Sequence, residues 1–474
     1  NLYYTAQINS RKDDWSDNLQ IITIKNKKNG VFNITTSQLN DIPIFLLFRA
    51  LGLESDKDII SNIVYNMDDI KMINLLRASV QNSIDETGNF IRTKEQAIDY
   101  LITKLRRNKR ISMTDEEIAI IQRKIQLQKI FRVDLLPHLG EDIPKKIRYL
   151  GFMVHRLLSV MLGRQNVDDR DAFQNKRVRT PGVLIGQLFR QNWKKLLNEI
   201  GKIFRKKNSS DENPINIINQ IKPNTIEQGI KTAMATGLWG MNRTKKGVAQ
   251  SLQRLSWIQS SALLRRIMSP SLDASTAGVI SIRHVNPITI FFLCCNETPE
   301  GGKIGIVKSL ALSATISLQN TSQIVVVKNI INKNFSIKHP ADIDSLDLLR
   351  WGKIFINGDW IGVNKDILEI FEFLKQQRRN NLIDKMTSIC VDYERKELKI
   401  FTDGGRLIRP LLNVINNNLP YNTKIANEVR EYLLGSEAGK GWKSILIKYP
   451  QIIDYEDVES SNYLMIASDL KKLE

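Results

Sequence analysis

Residues 296–302 read Asn-Glu-Thr-Pro-Glu-Gly-Gly and lie between two apolar stretches, 288–295 and 304–317. Proline fixes the backbone angle φ, and glycine permits positive φ values that other residues avoid. The pattern therefore predicts a rigid turn that holds the carboxylates of Glu297 and Glu300 in defined directions. Composition alone does not say what those carboxylates do.

The chain before this turn is predominantly helical by its apolar periodicity. Residues 17–40 predict a β-hairpin, and a helix follows with Pro43 in its first turn. Residues 57–165 and 225–268 have helical spacing, and the isoleucines of 116–131 are expected to share one helix face. The first half is therefore expected to be rich in helices.

Strand patterns dominate after residue 279. Apolar or alternating runs predict strands at 279–282, 304–317, 324–327 and 397–402, with one helix at 367–379. The sequence therefore predicts a multidomain α+β protein, in which a helix-rich first part precedes mixed and β-containing modules.

The composition favours an acidic partner. The chain has 474 residues, of which 69 are Lys or Arg and 50 are Asp or Glu, leaving a net charge of +19. Such an excess repels itself unless a polyanion offsets it, and nucleic acid is the commonest one. An anionic membrane surface and a basic surface buried within an assembly are the alternatives.

The three cysteines exclude a disulfide scaffold and a zinc site of four thiolates within this chain. Cys294 and Cys295 end the apolar run 288–295, so we expect both thiols to be buried. That run is also far shorter than the roughly 20 residues that a membrane span requires.

A search for an independent active site finds two weak candidates. Residues 435–441 resemble a phosphate loop, but they have one residue too few between their glycines and no Ser or Thr after the lysine. The acidic run 168–171 could bind Mg²⁺, yet Arg170 lies inside it, which favours ion pairing or helix capping. Neither feature predicts catalysis.

A polar stretch from Gly247 to Arg266 is a candidate nucleic-acid surface. Its amides and arginines, among them Gln250, Arg265 and Arg266, are expected to be spaced along a helix. Such side chains can reach successive sugar and phosphate groups of one strand. A solvated helix face is the alternative.

The turn and its neighbours also resemble a known family. Glu-Thr-Pro-Glu-Gly at 297–301, with Gly-Ile-Val-Lys-Ser-Leu at 305–310, is similar to the ETPEG…GLVKNL signature of the second-largest, beta-type subunit of multisubunit DNA-directed RNA polymerases. Further matches occur in the family's order at 150–153, 168–171, 187–190, 235–240 and 396–406. The resemblance covers nearly the whole chain.

The resemblance implies four segments in an internal portion of such a subunit. Residues 1–165 would be the lobe, 166–230 part of the protrusion, 231–312 the fork and 313–474 the external region. The fork of this family lies beside the active centre and the RNA–DNA hybrid.

It also implies roles for individual residues. Gln250 and Arg266 match positions that contact the RNA of the hybrid. The other residues expected to bind nucleic acid are Arg265 and, in a fork loop at 241–246, Arg243, Lys245 and Lys246. Arg283, Glu297 and Glu300 match polar positions behind the nucleotide-addition site, where they would position neighbouring loops. This chain departs from the family where Cys294-Cys295 replaces the usual Cys-Pro.

The implied activity is template-directed RNA synthesis with Mg²⁺, whose ligands in this family lie outside the segment seen here. The implied partners are the largest and other polymerase subunits, the DNA template and the RNA transcript, without a membrane. We expect no catalytic or metal-binding residue in this chain and no activity from it alone. Its place of work would be intracellular, in the nucleus or at a viral or plasmid transcription site in the cytoplasm.

Two alternatives belong to other classes. One is a stand-alone basic nucleic-acid-binding or assembly protein on a degenerate polymerase-like scaffold. The other is a single-subunit nucleotidyltransferase, which requires a pair of metal-binding aspartates that the sequence does not convincingly offer.

Overall fold

The computed structural model describes residues 3–12, 19–84, 88–105, 116–207, 221–222, 224–240, 245–268, 280–414, 423–434, 442–469 and 472. The chain divides into two compact units. The first comprises Asn1–Asp169 and Asn320–Asp403, and the second comprises Arg170–Gln319 and Gly404–Glu474. Arg243, most of the predicted fork loop and the glycine-rich run 435–441 lie outside the described residues.

The first unit opens with an antiparallel sheet in the order β1 (Thr5–Ser10), β2 (Gln20–Asn26), β3 (Phe32–Thr35) and β4 (Ile42–Pro43). Its β2–β3 pair confirms the predicted hairpin. Pro43 was expected inside a helix, but it ends the edge strand β4, where its missing N–H costs no ladder hydrogen bond. Helix α1 (Ile44–Leu51) begins at the next residue.

Five further helices complete this part and confirm the helical prediction for 57–165. They are α2 (Asp56–Val64), α3 (Ile70–Gln81), α4 (Lys94–Lys104), α5 (Glu116–Lys129) and α6 (Ile143–Met161). They pack around fully buried side chains such as Phe48, Leu101 and Leu150. Ile121 and Ile125 are exposed, contrary to the predicted apolar face. Among the described side chains, Leu127 near the end of α5 and Ile130 just after it are buried.

A π-helical turn (Ile130–Asp134) follows α5 and is held by a buried lysine. Nζ of Lys146 donates hydrogen bonds to the carbonyl oxygens of Phe131 (3.0 Å) and Arg132 (2.6 Å). Burial lowers the pKa of Lys146 to about 8. The lysine therefore satisfies carbonyls that the irregular helix end leaves open.

The first part of the second unit has a thinner apolar core. It contains α7 (Pro181–Lys207), α8 (Asn224–Thr236), α9 (Trp257–Leu264), β5 (Arg266–Met268), β6 (Val307–Ser309) and β7 (Thr315–Ile316). The helix predicted through 225–268 is only partly right. Helix α8 ends at Thr236, the described residues 237–240 and 245–256 are not helical, and Arg266–Met268 form β5.

Two further expectations for this region are wrong. Residues 281–283 form a 3-10 turn, and no strand is assigned at residues 280–282. Cys294 and Cys295 are exposed, because the run 288–295 folds into turns that bury only part of its side chains, among them Phe292 and Leu293. An apolar run this short can point half of its side chains outward.

The chain then returns to the first unit. It forms α10 (Ser322–Asn334), α11 (Asp347–Arg350), β8 (Gly352–Ile356), β9 (Asp359–Asn364), α12 (Ile367–Arg379), β10 (Ser388–Asp392) and β11 (Glu397–Phe401). The four strands make one sheet in the order β10-β11-β8-β9, with β8 and β11 parallel. The predicted helix at 367–379 and the strand near 397–402 are confirmed.

The strand predicted at 324–327 is wrong, because these residues lie in α10. Ile324, Val327 and Ile331 are buried at helical spacing against the sheet and α12. Packing of one apolar helix face outweighs the strand propensity of a β-branched run.

The last part of the second unit contains β12 (Leu407–Leu412), α13 (Thr423–Leu434), α14 (Trp442–Lys448) and β13 (Ile453–Asp457). Strands β13, β12 and β7 form a small antiparallel sheet. A buried ion pair joins Arg406 and Asp457 at 3.1 Å. The chain as a whole is α+β, as predicted, and within the described ranges no helix is long and apolar enough to cross a membrane.

Candidate functional site

The site is built on the short antiparallel ladder between β5 and β6 in the second unit. In its register Arg266 is opposite Ser309, Ile267 opposite Lys308, and Met268 opposite Val307. The ladder brings the end of α9 next to the strand that follows the turn 296–302. Residues distant in sequence therefore share one surface.

The two adjacent arginines have different surroundings. Nη2 of Arg265 donates to the carbonyl oxygens of Ala311 (2.6 Å), Leu312 (3.2 Å) and Ala314 (3.0 Å). Arg266 is exposed, and its side chain has no hydrogen bond or ion pair among the described residues. Arg265 caps the C-terminal end of α9, whereas Arg266 is the first residue of β5, so the two side chains leave different backbone conformations. Arg265 therefore braces a loop, while Arg266 is available to an external group.

Gln250 lies on the irregular segment before α9 and reaches the same ladder. Its Nε2 donates to the carbonyl oxygen of Gly247 at 3.0 Å and approaches Sδ of Met268 at 3.2 Å. Both contacts use the amide nitrogen, and within the described part of the chain the amide oxygen accepts no hydrogen bond. These two contacts orient the side chain of Gln250, and its amide oxygen remains available as a hydrogen-bond acceptor.

Two of the predicted fork-loop lysines can be placed. Lys245 pairs through its backbone with Trp239, with N···O distances of 3.1 and 2.8 Å, and its neighbour Lys246 is exposed. Trp239 is itself buried, and its Nε1 donates to the carbonyl oxygen of Leu184 at 3.0 Å. The backbone of Lys245, next to Lys246, is therefore held by the buried Trp239.

The turn that begins at Asn296 is fixed by three side chains. Oγ1 of Thr298 donates to the carbonyl oxygen of Val307 (3.1 Å) and accepts from the backbone N–H of Gly305 (2.9 Å). Nη1 of Arg283 donates to the carbonyl oxygens of Gly302 (3.0 Å) and Ile304 (2.7 Å). Nζ of Lys308 donates to the carbonyl oxygens of Ile282 and Gly305. These polar contacts support the predicted rigidity.

Gly305 is required by this packing. Its φ is +70°, and a Cβ at this position would lie 2.6 Å from the carbonyl oxygen of Arg283. The backbone therefore approaches Arg283 more closely than any residue with a side chain permits.

Glu297 and Glu300 are both exposed on this turn. Neither carboxylate has a hydrogen bond or ion pair with a described residue, while the backbone N–H of Glu297 donates to Sγ of Cys294 at 3.4 Å. The carboxylates are therefore displayed by a fixed backbone, as predicted from the sequence, and remain available to partners.

Lys308 is a member of the site that sequence reasoning missed. Burial lowers its pKa, and the positive charge of Lys176 lowers it further, while Asp171 raises it. Lys176 and Asp171 form an ion pair at 3.4 Å. The available signal was its position in β6, between the buried residues Val307 and Ser309. Because side chains alternate along a strand, Lys308 points to the face opposite its two neighbours.

The acidic run 168–171 takes part in ion pairs, as expected. In the first unit, Asp168 pairs with Arg156 (3.3 Å) and Arg395 (2.7 Å). Burial by itself raises the pKa of Asp168, but the hydrogen bond from Arg395 and the charge of Arg156 bring that pKa below its ordinary value. Among the described residues no group of three or more His, Cys, Asp or Glu side chains could hold a metal ion.

Three family models match separate parts of the chain. RNA polymerase Rpb2 domain 2 matches residues 5–179, domain 3 matches residues 250–316, and domain 4 matches residues 354–415. The middle match contains the β5–β6 ladder, Gln250, Arg266 and the turn at 296–302.

Curated relatives match almost from end to end of the chain. DNA-directed RNA polymerase subunit 2 of Acanthamoeba polyphaga mimivirus is 33% identical over 98% of this chain and 39% of its own length. DNA-directed RNA polymerase II subunit RPB2 of Encephalitozoon cuniculi is 33% identical over 99% and 39%. DNA-directed RNA polymerase II subunit 2 of Arabidopsis thaliana is 33% identical over 91% and 35%. The chain spans less than two fifths of the length of these relatives.

Proposed function

We propose that this chain, which belongs to the family of RNA polymerase second-largest subunits, shapes the active centre of a template-directed RNA polymerase and contacts its RNA–DNA hybrid. The observation that supports the proposal is the β5–β6 ladder, where Arg266, which has no side-chain partner among the described residues, and the oriented amide of Gln250 are both exposed. The same ladder is continuous with the braced turn of Glu297 and Glu300.

The chemistry of this surface suits an RNA strand. The guanidinium of Arg266 can form charge-assisted hydrogen bonds with a phosphodiester, because no group of the described chain competes for it. The amide oxygen of Gln250 can accept a hydrogen bond from a ribose 2′-hydroxyl, which DNA lacks. Lys245 and Lys246 add positive charge, and Arg243 is proposed to act with them.

The remaining site residues are proposed to position the active centre without reacting. Arg283 and Lys308 hold the turn from two sides, and Thr298 closes it. Glu297 and Glu300 can then orient neighbouring loops of the assembled enzyme, since a fixed backbone limits where a carboxylate can reach. Arg265 is proposed to support Arg266 through the loop that it braces.

We divide the chain into lobe (1–165), part of the protrusion (166–230), fork (231–312) and external region (313–474). Mg²⁺ is the cofactor of the proposed reaction, and we propose from the family resemblance that other parts of the enzyme hold it. In the part of the chain that the structure describes, no group of three or more His, Cys, Asp or Glu side chains could hold a metal ion. The partners are the largest and other subunits, the DNA template and the RNA transcript. The proposed setting is intracellular.

The adjacent arginines allow a matched test in the assembled enzyme. Arg266→Ala removes one phosphate contact, so elongation complexes should lose about 1–3 kcal/mol of stability, and the salt slope of their dissociation should fall by about 1. Arg265→Ala removes a brace instead, so it should increase hydrogen exchange at residues 311–314. Lifetimes of stalled complexes at several salt concentrations provide the measurement.

The proposal predicts two different signatures. Arg266→Ala should leave hydrogen exchange at residues 311–314 unchanged, and the isolated chain, freed of other subunits, should incorporate no nucleotide. If Arg266→Ala enzymes have wild-type lifetimes and salt dependence, Arg266 does not contact the hybrid. Incorporation by the isolated chain would instead contradict the assignment of catalysis to other parts of the enzyme.

A further inference from the structure

Two neighbouring thiols lie at the base of the turn that displays Glu297 and Glu300. Cys294 and Cys295 are both exposed, whereas Cys390 is buried on β10. Free cysteines are usually among the most buried residues of a protein, so two adjacent exposed thiols are unusual. Their adjacency and exposure separate them from Cys390.

Cys294 is also part of the turn itself. Its backbone N–H donates to the carbonyl oxygen of Ser309 on β6 at 2.9 Å. Its Sγ accepts a hydrogen bond from the backbone N–H of Glu297 at 3.4 Å. The preceding residues Phe292 and Leu293 are buried, which fixes the position from which both thiols project. A chemical change at Sγ of Cys294 therefore acts directly on the backbone that carries Glu297.

We propose that Cys294 and Cys295 form a reversible thiol-modification site whose reactant is a hydroperoxide. In the first step the thiolate of one cysteine attacks hydrogen peroxide, the O–O bond breaks, and a sulfenic acid and hydroxide form. In the second step the neighbouring thiol attacks the sulfenic sulfur, water leaves, and a disulfide between Cys294 and Cys295 results. The peroxide is reduced to water, and the two thiols lose two electrons and two protons in total.

The disulfide of this site is a labile one. Consecutive Cα atoms are about 3.8 Å apart across a trans peptide, whereas disulfides usually join Cα atoms about 4.4–6.8 Å apart. Closing the ring therefore forces a change in the backbone at residues 294–295. Strained and exposed disulfides are readily reduced, which suits a reversible modification and not a structural crosslink.

The consequence for the turn rests on the proposed function. Ring closure changes the backbone at Cys294 and weakens the acceptor for the Glu297 N–H, so the direction of the Glu297 carboxylate changes, while Thr298 and Arg283 still hold the later residues of the turn. In an enzyme whose active centre depends on this turn, oxidation lowers nucleotide incorporation, and a thiol reductant restores it.

The test uses the assembled polymerase treated with hydrogen peroxide and then digested for peptide mass spectrometry. The peptide that contains Cys294 and Cys295 should lose two hydrogen atoms and regain them with dithiothreitol, while the peptide with Cys390 stays unmodified. In Cys295→Ser enzyme the disulfide cannot form, so Cys294 should proceed to sulfinic and sulfonic acids that dithiothreitol does not reverse. Nucleotide incorporation measured on the same samples should recover in the wild type and not in the variant.

The two readouts separate the two proposals. The site is overturned if both thiols react no faster than Cys390, or if they oxidise singly without forming the disulfide. A reversible disulfide with unchanged incorporation confirms the modification site and contradicts the proposed role of the turn.

Discussion

The first unit and residues 245–316 of the second unit place the same residue types in opposite surroundings. Leu150 of α6 is 0% exposed and Trp360 of β9 is 1% exposed, whereas Leu312 is 97% exposed and Trp257 is 84% exposed. Leu255, Ile258 and Leu264 are exposed next to Trp257. The first region buries its apolar side chains in one large cluster, and the second displays them.

The difference shows two ways of fixing a backbone. In the first unit, burial of apolar surface stabilises the fold, at roughly 25 cal/mol for each Å² removed from water. In residues 245–316, guanidinium and ammonium groups that donate hydrogen bonds to carbonyl oxygens hold the turns in place. The second arrangement leaves large apolar side chains exposed, and contiguous exposed apolar surface is typical of interaction sites.

The largest expected effect comes from shortening matched leucines. Leu150→Ala should lower the free energy of unfolding of the first unit by about 2–5 kcal/mol, because it leaves a cavity in a packed core. Leu312→Ala should change stability by less than about 0.5 kcal/mol. Urea denaturation followed by hydrogen exchange in α4 and α6 provides the measurement. Equal losses in both variants would contradict the contrast between the regions.

The next effect concerns two glycines of the same turn. Gly301 and Gly305 both have positive φ values, +80° and +70°, but a Cβ on Gly301 has no atom within 4 Å. Gly301→Ala should therefore lower the free energy of unfolding by about 1–2 kcal/mol, which is the cost of a positive φ for alanine. Gly305→Ala adds a clash with Arg283 and should cost about 1–3 kcal/mol more. Hydrogen exchange of the Ile306 amide compares the variants, and similar rates in the two would show that close approach to Arg283 is unimportant.

The smallest effect is a pH dependence of the first unit. Burial lowers the pKa of His138 and of His155 from 6.5 to about 4. The unfolded chain then binds more protons between pH 6.5 and 4, so stability is full above this range and falls as the pH decreases through it. At pH 5 each histidine should lower the free energy of unfolding by about 1–2 kcal/mol relative to pH 7.

His155→Asn should reduce this pH slope, and the matched variant His284→Asn in the second unit should leave it unchanged. Urea denaturation at pH 7 and pH 5 measures the slope. An unchanged slope in His155→Asn would show that His155 does not contribute to the pH dependence.

Much of the first unit could be predicted from the sequence. The hairpin of β2 and β3 and the helix α12 have strong periodicity bounded by turn residues, so local pattern and final packing agree. Helix α10 was missed because its β-branched residues favour a strand, and only the sheet against which they pack selects the helix.

The candidate site could be predicted by residue type but not by geometry. The proline and glycines of the turn predicted its rigidity, since their φ preferences are local. The family resemblance assigned an RNA contact to Arg266, but residue type alone did not distinguish Arg265 from Arg266. The surroundings of their side chains depend on the β5–β6 register and on the carbonyls of residues 311–314. The exposure of Cys294 and Cys295 likewise depends on how the run 288–295 turns.

The three hydrogen bonds of Arg265 have a mechanical consequence. They tie the end of α9 to residues 311–314, and the backbone N–H of Leu310 also donates to the carbonyl oxygen of Arg265 at 3.0 Å. These four hydrogen bonds between two short segments leave few soft torsions between them. We therefore expect a force applied at Arg266 to move the end of α9 and residues 311–314 together as one rigid element.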